Sequence, residues 1–278
     1  MINYNGNSIA EQENELFDNR GFLFGDAVFE TVKTVDGKIL FLEDHYFRLM
    51  SSMRILRMEI PMNFTMEFLE QQLLSVIEGQ ENPSFRIRIT VCRKNGGFYL
   101  PETNAVDYII TAAPLPKTLY EMQPSDYEVD LFKDFYVPRQ LLSTIKSTNK
   151  SVNIAGSIFA HENGYQNCLL LNDAKNVIEA LQGNLFMLTG DKLVTPPVSE
   201  GCLNGVMRKQ VLEIAKKTEG LEVSESPISP FDLQKADELF ITNVIQGIQS
   251  ITKYRKKEYG NGMAKVLLMK LNAQIRLG

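Results

Sequence analysis

The sequence predicts an α+β (mixed α/β) fold in two domains, on the basis of three observations. Segments that alternate like β-strands are interspersed with segments whose apolar residues recur at helical spacing. A chain of 278 residues is long enough for one large domain or two smaller ones with real cores. A stretch rich in proline and polar residues, 114–124, indicates a linker. We place the boundary near residue 118, which gives a small N-terminal domain, 1–118, and a large C-terminal domain, 119–278.

The N-terminal domain is predicted to contain both short strands and two helices. Short strands are expected within 1–34, where Gly21 and Gly25 interrupt apolar and β-branched residues, and a turn follows at 36–37. Residues Phe47 and Met50 begin an apolar series at helical spacing. The elements that follow are helices over 42–58 and 65–79 and strands over 84–94 and 107–116.

The C-terminal domain is predicted to have strands on either side of two helices. Glycines close both helices, Gly164 the first and Gly220 the second. The basic segment 253–260 is expected to be a solvated turn or a helix start. The elements are, in order, a strand over 127–138, a helix over 151–164, strands over 168–172, 177–180 and 184–197, a helix over 204–220, a single buried strand over 238–251, and a C-terminal helix.

The composition disfavours several classes of protein. A net charge of −5 does not favour a nucleic-acid partner. The three cysteines are far apart and odd in number, which favours a reduced, cytoplasmic protein without disulfides. No apolar run approaches the roughly 20 residues that a membrane span requires. The polar, acidic N-terminus is not typical of a signal or transit peptide, so no membrane association is expected.

Hydrolase and metal chemistry are also disfavoured. The two histidines, His45 and His161, lie in predicted helices, and neither is near a G-x-S-x-G turn. No clustered Cys/His spacing indicates zinc, and no metal site is expected. The sequence has neither G-x-x-x-x-G-K-[ST] nor G-x-G-x-x-G, the loops that hold nucleotide phosphates.

Four features combine into a different kind of site, although each has a commoner explanation. Lys146 follows an apolar run in "LLSTIKSTNKS" and could form a Schiff base, but most lysines lie on the surface. Glu179 ends an apolar strand, where an edge carboxylate is the usual role. The turn 201–208 enters a helix whose N-terminus could hold phosphate, or it is an ordinary helix start. Arg48 could clamp the phosphate or form a salt bridge. Together they are the parts that pyridoxal phosphate needs.

Six segments, in this order, resemble the motifs of the class IV (fold-type IV) pyridoxal-phosphate enzymes. That family includes branched-chain aminotransferases, D-amino-acid aminotransferases and 4-amino-4-deoxychorismate lyases. The resemblance runs from about residue 20 to residue 250, nearly the whole chain. The segments are "RGFLFGDAVFE", "FLEDHYFRL", "IKSTN", "NVIEALQGNLF", "LVTPPVSEGCLNGVMR" and "ADELFITNVIQGI".

The resemblance implies a homodimer whose two domains hold pyridoxal 5'-phosphate in the cleft between them. It implies that Lys146 is the Schiff-base lysine and moves the substrate's Cα proton, and we expect Lys146 to end a strand run so that its amine points into the cleft. Glu179 would pair with the pyridine nitrogen. Arg48 would hold the phosphate. The other implied cofactor contacts are Leu203, the backbone N–H groups of Val206 and Met207, Asn243 and Val244. Many relatives have a threonine where Met207 and Val244 stand. In this chain, a hydroxyl contact to the phosphate at those two positions is therefore lost or replaced by a backbone contact.

Within the family, the chain is most similar to the 4-amino-4-deoxychorismate lyases. Lys150 stands where branched-chain enzymes usually have tyrosine, and "FETVK" where they favour "FEGIR". The segment 91–99, "VCRKNGGFY", lacks the Arg-x-His pair of D-amino-acid aminotransferases and resembles the lyases.

We therefore expect a lyase that converts 4-amino-4-deoxychorismate to 4-aminobenzoate and pyruvate, for folate precursor synthesis. Thr31 is the candidate for protonating the departing group, although a structural strand threonine is an alternative. Phe29, Arg93 and Lys94 are the candidate substrate contacts; a solvated turn is the alternative for the last two. The alternative function is an aminotransferase acting on branched-chain or D-amino acids. A non-catalytic dimeric relative is disfavoured by the joint presence of Lys146, Glu179 and Arg48.

Overall fold

The structure is a computed structural model that describes residues 2–4, 7–9, 18–123 and 126–277. Across these residues the chain forms seven α-helices and sixteen β-strands. The helices are α1 (Arg20–Phe24), α2 (Leu42–Ile55), α3 (Met66–Ser75), α4 (Leu141–Thr144), α5 (Ser151–Glu162), α6 (Val206–Lys216) and α7 (Gly262–Leu277). Among them, none combines the length and apolarity that a bilayer span requires.

The strands form three sheets. Strands β1 (Ile2–Tyr4) and β2 (Asn7–Ile9) pair only with each other in the described residues. A four-stranded sheet has the order β4-β3-β5-β6, with β3 (Ala27–Val35), β4 (Lys38–Ile39), β5 (Ser84–Arg93) and β6 (Val106–Pro114). The ten strands of the third sheet are β7 (Glu128–Val137), β8 (Asn167–Asn172), β9 (Val177–Ala180), β10 (Gly183–Thr189), β11 (Lys192–Thr195), β12 (Glu222–Glu225), β13 (Glu238–Asn243), β14 (Gly247–Ile251), β15 (Lys253–Tyr254) and β16 (Lys257–Glu258).

The four-stranded sheet is antiparallel and has one apolar face. Alternate residues of its two long central strands, including Val28, Val32, Ile87 and Ile89, are buried against helices α2 and α3. Because successive side chains of a strand point to opposite faces, the residues between them lie on the other face. That second face is directed towards the ten-stranded sheet and forms one wall of the site described below.

Helices cover one face of the ten-stranded sheet, and alternate strand residues, such as Leu169 and Leu185, form a separate apolar core on the other face. Helices α6 and α7 pack over β10, β13 and β14, around the stacked rings of Phe186 and Phe240. Helix α5 packs against β7 and β8. Most neighbouring strands are antiparallel, but β7 runs parallel to β8 and to β15, and β11 runs parallel to β12. The predicted α+β (mixed α/β) fold is therefore confirmed.

The two larger sheets share no strand, and the chain passes from one to the other between Pro114 and Glu128. The interval includes residue 118, where the sequence places the domain boundary. We keep the division into 1–118 and 119–278 as a proposal.

Three predicted strand segments have a different structure. The segment 184–197 is two strands, β10 and β11, which pair as a hairpin, rather than one. Residues 20–24 form helix α1, because the Asn19 side chain caps its first turn and Gly25 ends it in the left-handed region with φ of 66°. The segment 238–251 is two strands, β13 and β14, rather than one. The chain reverses between them, and Gly247 has a φ of 74°.

Two further predictions are corrected near the site and at the end of the large sheet. The segment 253–260 is neither a solvated turn alone nor a helix start, because β15 and β16 pair as a hairpin. Lys146 does not end a strand. It follows the single-turn helix α4.

Candidate active site

The largest group of predicted site residues lies around one cavity between the four-stranded and ten-stranded sheets. Its volume is about 540 Å³, within the range usual for small-molecule sites. The cavity is lined by residues from β3, β5 and α2 on one side and from β9, α6 and the β13–β14 turn on the other. The predicted residues on its wall are Phe29, Thr31, Arg48, Lys146, Glu179, Leu203, Val206, Met207, Asn243 and Val244.

Lys146 is held in the cavity by the backbone on either side of it. Ile145 is buried with the core of the small sheet. The Lys146 carbonyl accepts a hydrogen bond from the Phe29 N–H at 2.8 Å, and the Thr148 N–H donates to the Ala27 carbonyl at 3.0 Å. The segment after α4 is thus fastened along β3, and the Lys146 amine lies 4.6 Å from the centre of the Phe29 ring.

The amine of Lys146 is suited to act as a nucleophile or a base. Burial lowers its pKa to about 7, and the positive charges of Arg48 and Lys150 act in the same direction. The carboxylates of Glu30 and Glu179 oppose this shift without cancelling it. An amine with a pKa near 7 is substantially neutral at physiological pH, and only the neutral form has a free electron pair.

Arg48 is oriented by a buried carboxylate. Its Nε and Nη2 donate to Glu30 at 2.7 and 2.6 Å, and its Nη1 donates to the Asn204 carbonyl at 3.0 Å. Glu30 also accepts from His45 Nδ1 at 2.8 Å. Burial alone would raise the pKa of Glu30, but the charge and hydrogen bonds of Arg48, followed by those of His45, bring it to about 2. These charge-assisted hydrogen bonds therefore fix the Arg48 guanidinium in the cavity wall.

The N-terminus of α6 faces the cavity without a side-chain cap. Gly205 occupies the N-cap position, and no side chain of the described residues accepts from the first N–H groups of the helix. A Cβ at Gly205 would overlap the Asn184 side chain, so glycine is required by close packing. The N–H groups of Val206 and Met207 and the nearby Arg48 are together a donor set for a phosphate.

Glu179 lies on the opposite side of the cavity. Its Oε2 accepts from the Leu203 N–H at 2.9 Å, which ties β9 to the loop before α6. Burial raises the pKa of Glu179, while the Leu203 N–H and the charges of Lys150 and Lys146 lower it. A buried carboxyl without a salt-bridge partner in the described part of the chain is suited to a ligand's N–H⁺ group.

The β13–β14 turn completes the wall near α6. The Asn243 side-chain oxygen accepts from the N–H groups of Ile245 and Gln246 at 3.0 and 2.9 Å, which closes the turn. The Tyr120 hydroxyl donates to the Val244 carbonyl at 2.6 Å from the segment that joins the two sheets. These bonds hold the turn in one position relative to the cavity.

Position 207 could contact a phosphate through its backbone rather than through a hydroxyl. The Met207 side chain is 2% exposed and belongs to the core between α6 and the large sheet. Its backbone N–H still belongs to the first turn of α6, which lines the cavity. The contact at this position would therefore come from backbone.

The cavity also contains residues that sequence reasoning missed. Arg86 and Arg88 lie on the same face of β5 as Phe29 and Thr31 on the adjacent strand β3. The Arg88 guanidinium lies 3.8 Å from the centre of the Phe29 ring. The alternation in "FRIRITV" was a usable signal, because isoleucines and arginines take opposite faces of the strand.

Arg93 and Lys94 do not line the cavity. Arg93 is buried, and its guanidinium donates to Asp26 at 2.9 Å and to the Leu56 carbonyl at 2.6 Å. Lys94 is exposed and lies 3.6 Å from Asp107. Their assignment to the substrate stays a prediction, and their contacts favour a structural role for Arg93 and a surface position for Lys94.

Comparison with known proteins identifies the family. Residues 27–254, more than half of the chain, match the model of the amino-transferase class IV family. The chain belongs to this family. The resemblance seen in the six sequence segments is thereby confirmed.

Similar class IV proteins differ in the reactions for which they are named. A candidate branched-chain-amino-acid aminotransferase of Methanocaldococcus jannaschii is 30% identical over 99% of this chain and 95% of its own length. The crystal structure of a candidate 4-amino-4-deoxychorismate lyase from Legionella pneumophila has a TM-score of 0.83 at 23% identity, covering 92% of this chain and 93% of that one. An aminotransferase from Brucella abortus, bound to pyridoxal phosphate, has a TM-score of 0.81 at 20% identity over 97% and 98% of the two chains. At these identities the two structures show a shared fold.

Class IV aminotransferases depend on pyridoxal phosphate, and the cavity of this chain fits that cofactor. An uncapped helix N-terminus beside Arg48 suits a phosphate, and a partly neutral buried amine suits an aldehyde. Glu179, across the cavity, suits a protonated ring nitrogen. The residues that could hold the cofactor are Arg48, Lys146, Glu179, Leu203, Val206, Met207, Asn243 and Val244.

Proposed function

We propose that this class IV enzyme is a lyase that converts 4-amino-4-deoxychorismate to 4-aminobenzoate and pyruvate. The observation that carries the proposal is the position of Thr31. Its side chain is on the cavity face of β3, is only 6% exposed, and has no hydrogen-bond partner among the described residues for its hydroxyl. Thr31 lies directly opposite Arg88 in the β3–β5 register. A free hydroxyl beside a guanidinium suits a departing group that is anionic and needs a proton.

Lys146 is the residue that would move the first proton. Bound pyridoxal phosphate withdraws electrons from the carbon that carries the substrate's amino group and makes its proton acidic. Lys146, with a pKa of about 7, takes that proton. The bond between the ring and the ether oxygen then breaks, and the ring becomes aromatic. The released enolpyruvate gains one proton at its CH₂ carbon and becomes pyruvate, so atoms and charge balance.

Thr31 would assist the second proton transfer. Amino-group transfer requires only the proton that Lys146 carries, whereas elimination also requires a proton for the departing enolpyruvate. The Thr31 hydroxyl can donate to that group and be reprotonated by solvent. It therefore acts as a relay that an aminotransferase does not need.

The test is direct assay of both products. Protein loaded with pyridoxal phosphate is incubated with 4-amino-4-deoxychorismate, and 4-aminobenzoate and pyruvate are measured in equal amounts. Lys146→Ala should release neither. Thr31→Val should lower kcat by about tenfold to 100-fold, while Thr31→Ser keeps most of it. Absence of 4-aminobenzoate with the loaded wild-type protein would refute the lyase.

An aminotransferase is the second candidate, and the curated relative that is 30% identical supports it. It would act on branched-chain or D-amino acids, with Lys146 returning the proton it removes. Transfer of the amino group to a 2-oxo acid, without release of pyruvate from 4-amino-4-deoxychorismate, would establish this candidate in place of the lyase.

We also propose a cytoplasmic homodimer. Large apolar side chains are exposed in two places, on the loop after β5 and on helix α5. Phe98, Tyr99 and Leu100 are each more than 80% exposed, and Ile154 and Ile158 are more than half exposed. Surfaces of this kind are typical of subunit interfaces. Size-exclusion chromatography with light scattering should give a molecular mass of twice the chain mass of 31.5 kDa.

A further inference from the structure

Two arginines on one strand form a cationic surface in the cavity. In β5, Ile87 and Ile89 are fully buried against the helices of the small domain. Arg86 and Arg88 alternate with them and therefore point the other way, into the cavity. Two residues of a strand span about 7 Å, so the two side chains leave the strand about that far apart.

The protein itself leaves most of their hydrogen-bond donors unused. Arg88 is oriented by Nε, which donates to the Thr90 hydroxyl at 3.0 Å, and by the Phe29 ring beneath its guanidinium. Its two terminal nitrogens have no partner among the described residues. In the same part of the chain, no carboxylate forms a salt bridge with Arg86 or Arg88. An arginine that is held in place but has free donors is ready to bind an anion in bidentate fashion.

The charge balance of the cavity points in the same direction. Among the described side chains that line the cavity, Glu179 is the only acidic one. Further positive charge comes from Arg48, Lys146 and Lys150. Burial lowers the pKa of Arg88, and the charge of Arg86 lowers it further. Arg48 already pairs with Glu30, whereas no carboxylate among the described residues pairs with Arg86 or Arg88.

We propose that Arg86 and Arg88 bind the two carboxylates of the substrate, and that Arg86 selects for the second one. The inference rests on the proposed function, whose substrate carries two carboxylates, and it deepens that function by assigning the residues that bind them. Arg88, opposite Thr31 in the register, holds the carboxylate of the departing group. Arg86 lies two residues from Arg88 on the same face of β5 and holds the second carboxylate. A substrate with an aliphatic side chain would leave a guanidinium facing apolar atoms, which costs binding energy.

Arg86 is the residue that sets this specificity. Arg88 has a fixed orientation from Phe29 and Thr90 and can serve any substrate with one carboxylate. The Arg86 side chain is exposed and forms no hydrogen bond with the described residues. Its guanidinium is therefore free to bind a carboxylate of the ligand. Its removal should change which ligands bind and leave the fold intact.

The experiment measures binding of unreactive ligands to the pyridoxal-phosphate-loaded protein by calorimetry. Isophthalate carries two carboxylates on a ring and benzoate carries one. The wild type should bind isophthalate at least about tenfold more tightly, which corresponds to about 1.4 kcal/mol. Arg86→Met should reduce that ratio to below about threefold with benzoate affinity unchanged, and Arg86→Lys should retain part of it. Arg54→Met, which removes an exposed arginine of α2 outside the cavity, is the matched control and should keep the wild-type ratio.

The outcomes separate this inference from the lyase. Equal affinities of the wild type for the two ligands, or an unchanged ratio in Arg86→Met, would overturn the two-carboxylate subsite. A clear preference for isophthalate without release of 4-aminobenzoate would support the subsite and refute the lyase. Release of 4-aminobenzoate with the same KM in wild type and Arg86→Met would keep the lyase and remove the subsite.

Discussion

Glu30 is the side chain whose replacement should show most clearly how the phosphate side of the cavity is built. Glu30→Gln keeps the size of the side chain but removes the charge that Arg48 and His45 contact at 2.6 to 2.8 Å. The folded-state pKa of Glu30 is about 2, compared with 4.5 for a free glutamate. That difference corresponds to about 3 kcal/mol of stability for the ionised form at neutral pH. Glu30 is only 1% exposed, so solvent screening takes little from this value.

The pH dependence gives the prediction its sign. Because folding lowers the pKa of Glu30, the ionised carboxylate stabilises the fold above pH 4.5, and this contribution is lost as the pH falls towards 2. Urea unfolding at pH 7 should therefore show Glu30→Gln to be about 3 kcal/mol less stable than the wild type. The difference in the free energy of unfolding between wild type and Glu30→Gln should become smaller as the pH is lowered below 4.5.

The same substitution should weaken cofactor binding, because Arg48 loses its orientation. Titration with pyridoxal phosphate, followed by absorbance, should give a dissociation constant about tenfold higher or more. Glu70→Gln, which replaces an exposed glutamate on α3, is the control and should change neither quantity. A loss of stability below 1 kcal/mol, or a gap that does not change with pH, would contradict the role assigned to the Glu30–Arg48 pair.

Three other outcomes follow from the same cavity. Burial and Arg48 lower the pKa of Lys146 to about 7. The rate at which cofactor-free protein binds pyridoxal phosphate should therefore rise with pH and reach half its maximum near pH 7. A midpoint above about pH 9 would show that the amine is solvated. Tyr120→Phe should leave the half-buried Val244 carbonyl without its donor, lower the free energy of unfolding by about 1 kcal/mol and weaken cofactor binding severalfold. An unchanged dissociation constant would mean that this tyrosine does not position the turn. Gly205→Ala should displace the start of α6 from the Asn184 side chain. It should therefore weaken the binding of pyridoxal phosphate more than the binding of pyridoxal, which lacks the phosphate. An equal loss of affinity for both ligands would place the phosphate elsewhere.

The sequence was sufficient for those elements whose pattern is local. Helix α2 was predicted from the helical spacing of its apolar residues, and β5 from its alternation. The six ordered motifs were sufficient for the family, because each places a distinctive residue type at a fixed position along the chain. The candidate residues Lys146, Glu179 and Arg48 were all found in this way, and they do line one cavity.

Local pattern misled where tertiary contacts decide the conformation. The segment 238–251 is apolar throughout and reads as one strand, but the hydrogen bonds of the Asn243 side chain and the left-handed Gly247 turn it into a hairpin. The assignment of Arg93 to the substrate, which rests on the glycine-rich turn after it, stays a prediction. In the structure Asp26 and main-chain carbonyls that are distant in sequence surround its guanidinium.

By itself, the amino-acid sequence determined that this is an α+β chain of the class IV family, and it predicted an amine, an acid and an arginine as the cofactor contacts. Only the tertiary structure decided which side chains share the cavity with them. Arg86 and Arg88 look like any strand arginines in the sequence, and the role proposed for them depends on which face of the four-stranded sheet lines the cavity. The pKa of Lys146 likewise depends on its burial and on the distance to Arg48, which are properties of the folded packing and not of the residues beside it in the chain.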